Sequence, residues 1–190
     1  MSPGIASAAI AALFSVSWVA AALWANRTVA GLPSKEQWPL YAAGAVFVVA
    51  VMFAGRGWPV MRERLWPPNA WFDWGMLAVL VAGVVTCWWA RLHLGRLWSG
   101  GVVLKEGHRV VDTGPYALVR HPIYSGAFLM AIGFVAIRAR PSGILLALGF
   151  IAFFALKSRL EERLLLQEFG AAYEGYRQRV PRLVPRVKRR

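Results

Sequence analysis

Five uncharged apolar runs, separated by short polar segments, constrain this chain more than any other feature of its sequence. They cover residues 4–24, 38–54, 74–90, 124–137 and 142–156. The first is long enough to cross a bilayer, which takes about 20 apolar residues in a helix. The last two are short and are joined by a tight basic turn, which is typical of a helical hairpin. We therefore predict an all-α integral membrane protein, a single domain over residues 1–190 with about five transmembrane helices.

The composition supports a membrane protein and excludes other classes. Hydrophobic residues make up 58% of the chain and charged residues 16%, which is too apolar for an ordinary soluble domain. The net charge of +13 would suggest nucleic acid in a soluble protein, but here the basic residues lie between and after apolar runs. Anionic membrane lipids are the expected partner, and no nucleic acid is expected. The single Cys87 allows neither an intramolecular disulfide nor a cysteine-built metal site.

The distribution of basic residues predicts the orientation. Segments 26–37, 91–121 and 157–190 hold 17 of the 22 Lys and Arg residues, and five spans would place all three segments on one side. The positive-inside rule assigns that side to the cytoplasm and the N-terminus to the outside. The first run lacks the charged start of a secretory signal, so we interpret it as a retained span. High Ala, Gly and Arg usage favours a bacterial inner membrane.

A polar stretch over residues 107–126 interrupts the apolar pattern. It contains two of the three histidines and two turn signals, Gly114-Pro115 and His121-Pro122. Lipid cannot satisfy loose backbone groups, so such a stretch faces water or lines a protected site. The plainer alternative is an interfacial loop followed by a helix that starts at a proline. The charged helix predicted over residues 157–179 would lie on the same membrane face, so the two segments could build one site.

Few residues form a sequence pattern that indicates a catalytic or metal-binding site. His108, His121, Glu161 and Glu162 could in principle hold a metal, but the histidines lack a helical ligand spacing, so we predict no metal site. Nucleophile-elbow, P-loop and Gly-x-Gly-x-x-Gly motifs are absent. Lys157 and Glu161 share a helix face as an i, i+4 pair. Helical phase places Glu162, rather than Glu161, on the apolar stripe of the helix. A carboxylate on an apolar surface near a membrane is energetically costly, so its presence there suggests a functional role.

The C-terminal half of the chain, residues 94–185, resembles the isoprenylcysteine carboxyl methyltransferase family of integral-membrane enzymes. The residues that carry the resemblance are Leu94-Gly-Arg-Leu-Trp-Ser99, Lys105-Glu-Gly-His-Arg-Val-Val111, Gly114-Pro-Tyr116, Val119-Arg-His-Pro-Ile-Tyr124, Gly126, Glu161-Glu162, Phe169-Gly170, Tyr173, Tyr176 and Val180-Pro181. On this basis residues 1–93 are three spans with their loops, and residues 94–190 are the cofactor-binding core. That core has a cofactor-binding loop, the last two spans and a cytoplasmic C-terminal amphipathic helix.

The resemblance implies S-adenosylmethionine bound between the last spans and the C-terminal helix. The cofactor contacts it implies are His108, Arg109, Val110, Val111, Tyr116, His121, Pro122, Ile123, Tyr124 and Glu161. Helical phase and resemblance disagree over the two glutamates, and we follow the resemblance because Gly170 could shift the phase. The family's substrate-binding arginine corresponds to Lys157, which keeps the charge but loses the bidentate fork for a carboxylate.

The implied reaction is methyl transfer to a lipophilic acceptor that enters from the bilayer, foremost carboxyl O-methylation of isoprenylcysteine-like substrates. A carboxylate acceptor needs no base, so we predict no catalytic acid or base and expect alignment and water exclusion to supply most of the rate. An amine or thiol acceptor would need one, and Glu161 or Glu162 would be the candidate. The alternatives are a phospholipid amine N-methyltransferase, a thiol S-methyltransferase, a sterol-reductase-like NADPH oxidoreductase, and a non-enzymatic scaffold or transporter.

Overall fold

The computed structural model describes residues 1–186 of the 190-residue chain. The end of the predicted basic tail, residues 187–190, lies outside the described residues. Five helices account for most of the described chain. They are α1 (Pro3–Ala22), α2 (Ser34–Gly57), α3 (Ala70–Leu94), α4 (Pro122–Arg138) and α5 (Pro141–Arg179). The predicted all-α class is confirmed. Four of the apolar runs each lie within one of these helices, and the first, residues 4–24, extends two residues past the end of α1.

The helices begin where the sequence contains starting signals. Proline occupies the first turn of α1, α4 and α5, where its missing N–H costs nothing. The Asn69 side chain caps α3 by accepting a hydrogen bond from the Phe72 N–H at 3.0 Å. Four helices are long and apolar enough to cross a membrane, while the 17-residue α4 is shorter. The protein is therefore a multi-pass integral membrane protein.

Helices α3 and α4 pack closely because glycines face each other along their interface. A Cβ atom on Gly83 would lie 2.5 Å from the Gly126 carbonyl oxygen, and one on Gly133 would lie 2.5 Å from the Met76 carbonyl oxygen. Small residues let membrane helices approach until their backbones touch. This contact fixes the start of α4, and with it residues 121–124, against the middle of α3.

Two short strands were not predicted. The segment 26–37, interpreted as a polar loop, contains β1 (Thr28–Gly31), which pairs antiparallel with β2 (Val103–Lys105). Such short strands carry too few residues for an alternating pattern, and their pairing is a long-range contact. Leu32, Val102 and Leu104 then pack on Leu164 of α5. The strand pair thereby connects the chain before α2 to the loop after α3, and both to α5.

Helix α5 contains both the fifth apolar run and the predicted charged helix, and no break separates residues 156 and 157. It bends at Gly170, whose φ of 47° and ψ of −122° are non-helical. Glycine adopts a positive φ at no steric cost, so the chain can turn back at this point. After the bend, Tyr173, Tyr176 and Val180 form a buried cluster with Val110 and Phe169. The bend therefore brings the end of α5 back over the polar stretch.

Candidate functional site

A cavity of about 500 Å³ lies between the helices and the polar stretch. Its polar end is formed by the loop before α4, the first turn of α4 and the middle of α5. Its other side is apolar and aromatic, and is formed by α1, α4 and α5, including Phe14, Trp18 and Phe150. A volume of this size suits a small-molecule ligand of drug-like dimensions.

The structure brings nearly all the sequence-predicted site residues to this cavity. Ten of the eleven line it: His108, Arg109, Val110, Val111, Tyr116, His121, Ile123, Tyr124, Lys157 and Glu161. The eleventh, Pro122, is fully buried as the first residue of α4 and does not line the cavity. Their roles as cofactor and substrate contacts stay predictions, because a shared cavity gives proximity and not occupancy.

The loop residues are held in place by ring contacts and backbone hydrogen bonds. His108 stacks on Phe169 with ring centroids 5.9 Å apart, and its Nδ1 accepts a hydrogen bond from the Lys105 N–H at 3.3 Å. Burial lowers the pKa of His108, although Glu168 partly opposes this shift. The Tyr116 carbonyl accepts a hydrogen bond from the Tyr176 hydroxyl at 2.7 Å. The bend at Gly170 is what places Tyr176 within reach.

His121 lies between two carboxylates. Its Nδ1 is 3.5 Å from Glu161 Oε2, and its Nε2 is 3.1 Å from Glu162 Oε1. Burial disfavours a charge on the ring, but hydrogen bonds to both glutamates outweigh this effect and raise the pKa of His121. The ring also stacks nearly parallel on Tyr124, with centroids 5.3 Å apart. The histidine therefore bridges the polar stretch and α5 through both carboxylates.

The two glutamates have different surroundings. Glu161 lines the cavity. Its Oε1 accepts a hydrogen bond from the Tyr124 hydroxyl at 2.5 Å and forms an ion pair with Lys157 Nζ at 3.0 Å. Glu162 points away from the cavity and binds Arg120 and Arg182. Helical phase therefore identified a carboxylate with a buried role, while the resemblance identified the one that faces the cavity.

Lys157 and Glu161 form a buried pair rather than a solvated one. The Lys157 side chain is 5% exposed, and its Nζ also donates to the Tyr124 hydroxyl at 3.0 Å. The ammonium lies 5.3 Å from the centroid of the Tyr124 ring and 5.8 Å from that of Phe154. The charge of Lys157 is thus already balanced by a carboxylate within the cavity.

The raised pKa of His121 predicts a pH-dependent stability. A group that binds its proton more tightly in the folded state stabilises the protein fully below its unfolded pKa of about 6.5, and that contribution disappears as the pH rises through the higher folded value. We expect the thermal midpoint of the detergent-solubilised protein to decrease as the pH is raised above 6.5. The decrease should be smaller in His121→Asn. An equal fall in both proteins would contradict a charged His121. The lowered pKa of His108 acts below pH 6.5, so the two effects are separable.

Several cavity residues were missed in the sequence because they lie in the first two spans or in apolar runs. They are Phe14 and Trp18 of α1, Tyr41 of α2, Cys87 of α3, and Phe150, Phe153 and Phe154 of α5. The Trp18 ring contacts Trp98 edge-on with centroids 5.5 Å apart. The available signal was the i, i+4 spacing of Phe14 and Trp18, whose rings stack at 5.1 Å.

Comparisons with known proteins converge on one family. Residues 76–167, which contain every predicted site residue, match the isoprenylcysteine carboxyl methyltransferase family. The protein-S-isoprenylcysteine O-methyltransferase B of Arabidopsis thaliana is 33% identical over 132 residues, which cover 68% of this chain and 64% of that protein. The methanethiol S-methyltransferase 2 of Bradyrhizobium diazoefficiens is 48% identical over 73 residues, which cover 38% of this chain and 27% of that protein.

A solved structure is similar as well. The eukaryotic intramembrane Ras methyltransferase of this family superposes with a TM-score of 0.54 at 27% identity, over 77% of this chain and 52% of that chain. In each of these comparisons the match spans less than two thirds of the relative's own length. The sequence match, the shared membrane-helical fold and the position of the cavity within the matched region agree: over residues 76–167 this chain belongs to the isoprenylcysteine carboxyl methyltransferase family.

Proposed function

We propose that this protein transfers a methyl group from S-adenosylmethionine to a lipophilic acceptor at the membrane, with the carboxylate of an isoprenylcysteine-like molecule as the foremost acceptor. The observation that supports this most directly is the two-sided cavity. One end presents charged and polar groups, and the other presents the aromatic rings of membrane helices. A polar cofactor and an apolar acceptor could therefore meet inside one enclosure.

The polar end fits the cofactor by its chemistry. The Glu161 carboxylate can accept hydrogen bonds from an ammonium group or from ribose hydroxyls. The backbone of residues 108–111 borders the cavity and can pair with adenine or a carboxylate. The Tyr124 ring offers a π-face to a positively charged group, as it already does to Lys157. When bound, S-adenosylmethionine would supply an electrophilic methyl group.

The chain itself would contribute alignment and exclusion of water. The carboxylate of Glu161 is fixed by Tyr124, Lys157 and His121, so it needs no reorganisation to receive a ligand. Aromatic side chains from α1 and α5 close the opposite side and keep water from the reacting atoms. We place the polar end on the cytoplasmic side of the membrane because of the Lys and Arg asymmetry. The high Ala, Gly and Arg usage supports a bacterial inner membrane.

A thiol acceptor is the second candidate, and two observations favour it. One similar protein is named a methanethiol S-methyltransferase. In addition, Lys157 is paired with Glu161, so the cation that would attract an acceptor carboxylate is already neutralised. A thiol must lose a proton, and Glu161 is the only one of the two glutamates that lines the cavity. Glu161 would then be the candidate base, although burial is outweighed by its hydrogen bond with His121 and the charge of Lys157, which lower the pKa of its carboxyl to about 2.

Titration of the purified protein with S-adenosylhomocysteine tests the cofactor. We expect binding by the parent and roughly a tenfold or greater loss in Glu161→Gln, because a hydrogen bond to a charged group contributes about 1.5 kcal/mol or more. Glu168→Gln, at an exposed position of the same helix, should bind like the parent. If the folded parent bound NADPH but not S-adenosylhomocysteine, the result would overturn the proposal in favour of an oxidoreductase.

An acceptor screen then separates the two acceptor classes. Methyl transfer to a farnesylated cysteine that needs its free carboxylate would support O-methylation. Methyl transfer to alkyl thiols would support S-methylation. In that case the transfer rate of the Glu161→Gln variant should decrease as the pH is lowered, because the variant lacks the proposed base. Turnover of a phospholipid amine in place of both would show that neither proposed acceptor is correct.

A further inference from the structure

A second, smaller concavity of about 370 Å³ lies beyond Glu162, on the far side from the cavity. We name it the arginine groove. One wall is a face of α5, on which the lining residues recur every three or four positions. The other wall is the segment that returns after the bend at Gly170. The polar residues that line it are Arg159, Glu162, Arg163, Gln167, Arg177 and Arg182.

The groove carries an excess of positive charge. Four arginines line it, and the only acidic lining residue is Glu162, whose side chain is 4% exposed and bound to Arg182 at 2.8 Å. Arg163 and Arg177 each have a carboxylate partner outside the groove lining, Glu36 and Glu174. Among the described residues 1–186, Arg159 has no carboxylate within ion-pair distance. Glu162 also binds Arg120 and His121, so it cannot neutralise the groove as well.

The groove lies at the height where the apolar spans end. The fifth apolar run ends at residue 156, and Arg159 is less than one turn further along α5, a rise of roughly 5 Å. Arg163 contacts Glu36 in the first turn of α2, next to Trp38, where the second apolar run begins. Trp38 is 69% exposed, as expected for a tryptophan at a membrane interface. Two helices thus place the groove independently at the level of lipid headgroups.

We propose that the arginine groove binds the phosphate of an anionic phospholipid headgroup. Guanidinium groups bind phosphate oxygens in pairs and lose less hydration than an ammonium does. Leu166, on the same wall, offers an apolar contact to the glycerol and the start of the acyl chains. Basic pockets at this depth are a recognised mode of lipid headgroup binding. The bound lipid would connect α5 to the returning segment through Arg159 and Arg177.

Native mass spectrometry of the detergent-purified protein tests this proposal, with phosphatidylglycerol and phosphatidylcholine as probes. We expect the parent to retain phosphatidylglycerol in preference. Arg159→Gln with Arg177→Gln should weaken its binding roughly 25-fold, at about fivefold for each arginine at a headgroup. The control, Arg96→Gln with Arg179→Gln, removes the same charge from exposed positions outside the groove and should change binding by less than about twofold. Lysine at 159 and 177 should restore most of the affinity, which also shows that the variants fold.

Three results would overturn the proposal. Equal losses in the groove variant and in the control would show an unspecific attraction by net charge. Equal retention of the two lipids would show that the groove does not distinguish them by headgroup charge. Displacement of the lipid by an equal concentration of inorganic phosphate would show that the groove takes a free anion and gains nothing from the lipid.

Discussion

Replacing Glu162 with glutamine should lower the free energy of unfolding by about 3 kcal/mol, because it leaves buried cations without their carboxylate. Glu162 Oε1 accepts from Arg120 Nε at 2.9 Å and from His121 Nε2 at 3.1 Å, and Oε2 accepts from Arg182 at 2.8 Å. The Arg120 side chain is 8% exposed, so water cannot replace the lost partner. Arg182 is 35% exposed, so water can solvate its charge when the carboxylate is removed. The loss of unfolding free energy is therefore smaller than if all three partners of Glu162 were left buried and unpaired.

A thermal unfolding experiment in detergent, followed by tryptophan fluorescence, measures this effect. A loss of this size corresponds to a fall in the midpoint of roughly 6–12 °C for a chain of this length. Glu168→Gln should change the free energy by less than about 0.5 kcal/mol, as is usual for an exposed position. The double variant Arg120→Gln, Glu162→Gln should recover part of the loss, since it removes the stranded charge together with its partner. A single variant as stable as the control would contradict a structural role for this ion cluster.

The two glutamates show what the sequence could predict and where it stopped. Helical periodicity placed Glu162 on the apolar stripe of its helix, and the family motif placed Glu161 at the cofactor site. In the structure Glu162 is 3% exposed and Glu161 lines the cavity, whereas the role of Glu161 as a cofactor ligand stays a prediction. Periodicity reports which way a side chain faces on its own helix. It cannot report that Arg120, 42 residues away, will lie opposite.

The apolar runs and the polar stretch were predictable because their signals are local. Hydrophobicity alone located all five helices, and proline and glycine located the turns before α4. The strand pair and the aromatic wall of the cavity were not predictable in this way. Val103 pairs with Gly31, and Trp18 contacts Trp98, through chain separations that no local pattern encodes. An aromatic residue in an apolar run looks the same whether it faces lipid or a cavity.

Placing leucine at Gly126 should also cost about 3 kcal/mol, because the helices cannot move apart without losing their contact. A Cβ atom on Gly126 would lie 2.7 Å from the Gly83 carbonyl oxygen, 2.8 Å from Cys87 Sγ and 2.9 Å from the Cys87 N–H nitrogen. Two of these atoms belong to the backbone of α3, which a rotamer change cannot relieve. Lipid competes equally well for apolar surface, so close packing is the main force that holds these two helices together.

The same substitution should weaken the binding of S-adenosylhomocysteine, since α4 carries Tyr124 into the cavity two residues before Gly126. The matched control is Gly75→Leu in α3, an exposed helical glycine whose added Cβ would meet nothing within 4 Å. That control should leave both binding and the thermal midpoint unchanged or raise the midpoint slightly, because glycine is a poor helix former. If Gly126→Leu lowered stability but left ligand affinity intact, the position of α4 would not determine the geometry of the site. If it lowered neither, α3 and α4 would not be packed backbone to backbone at this point.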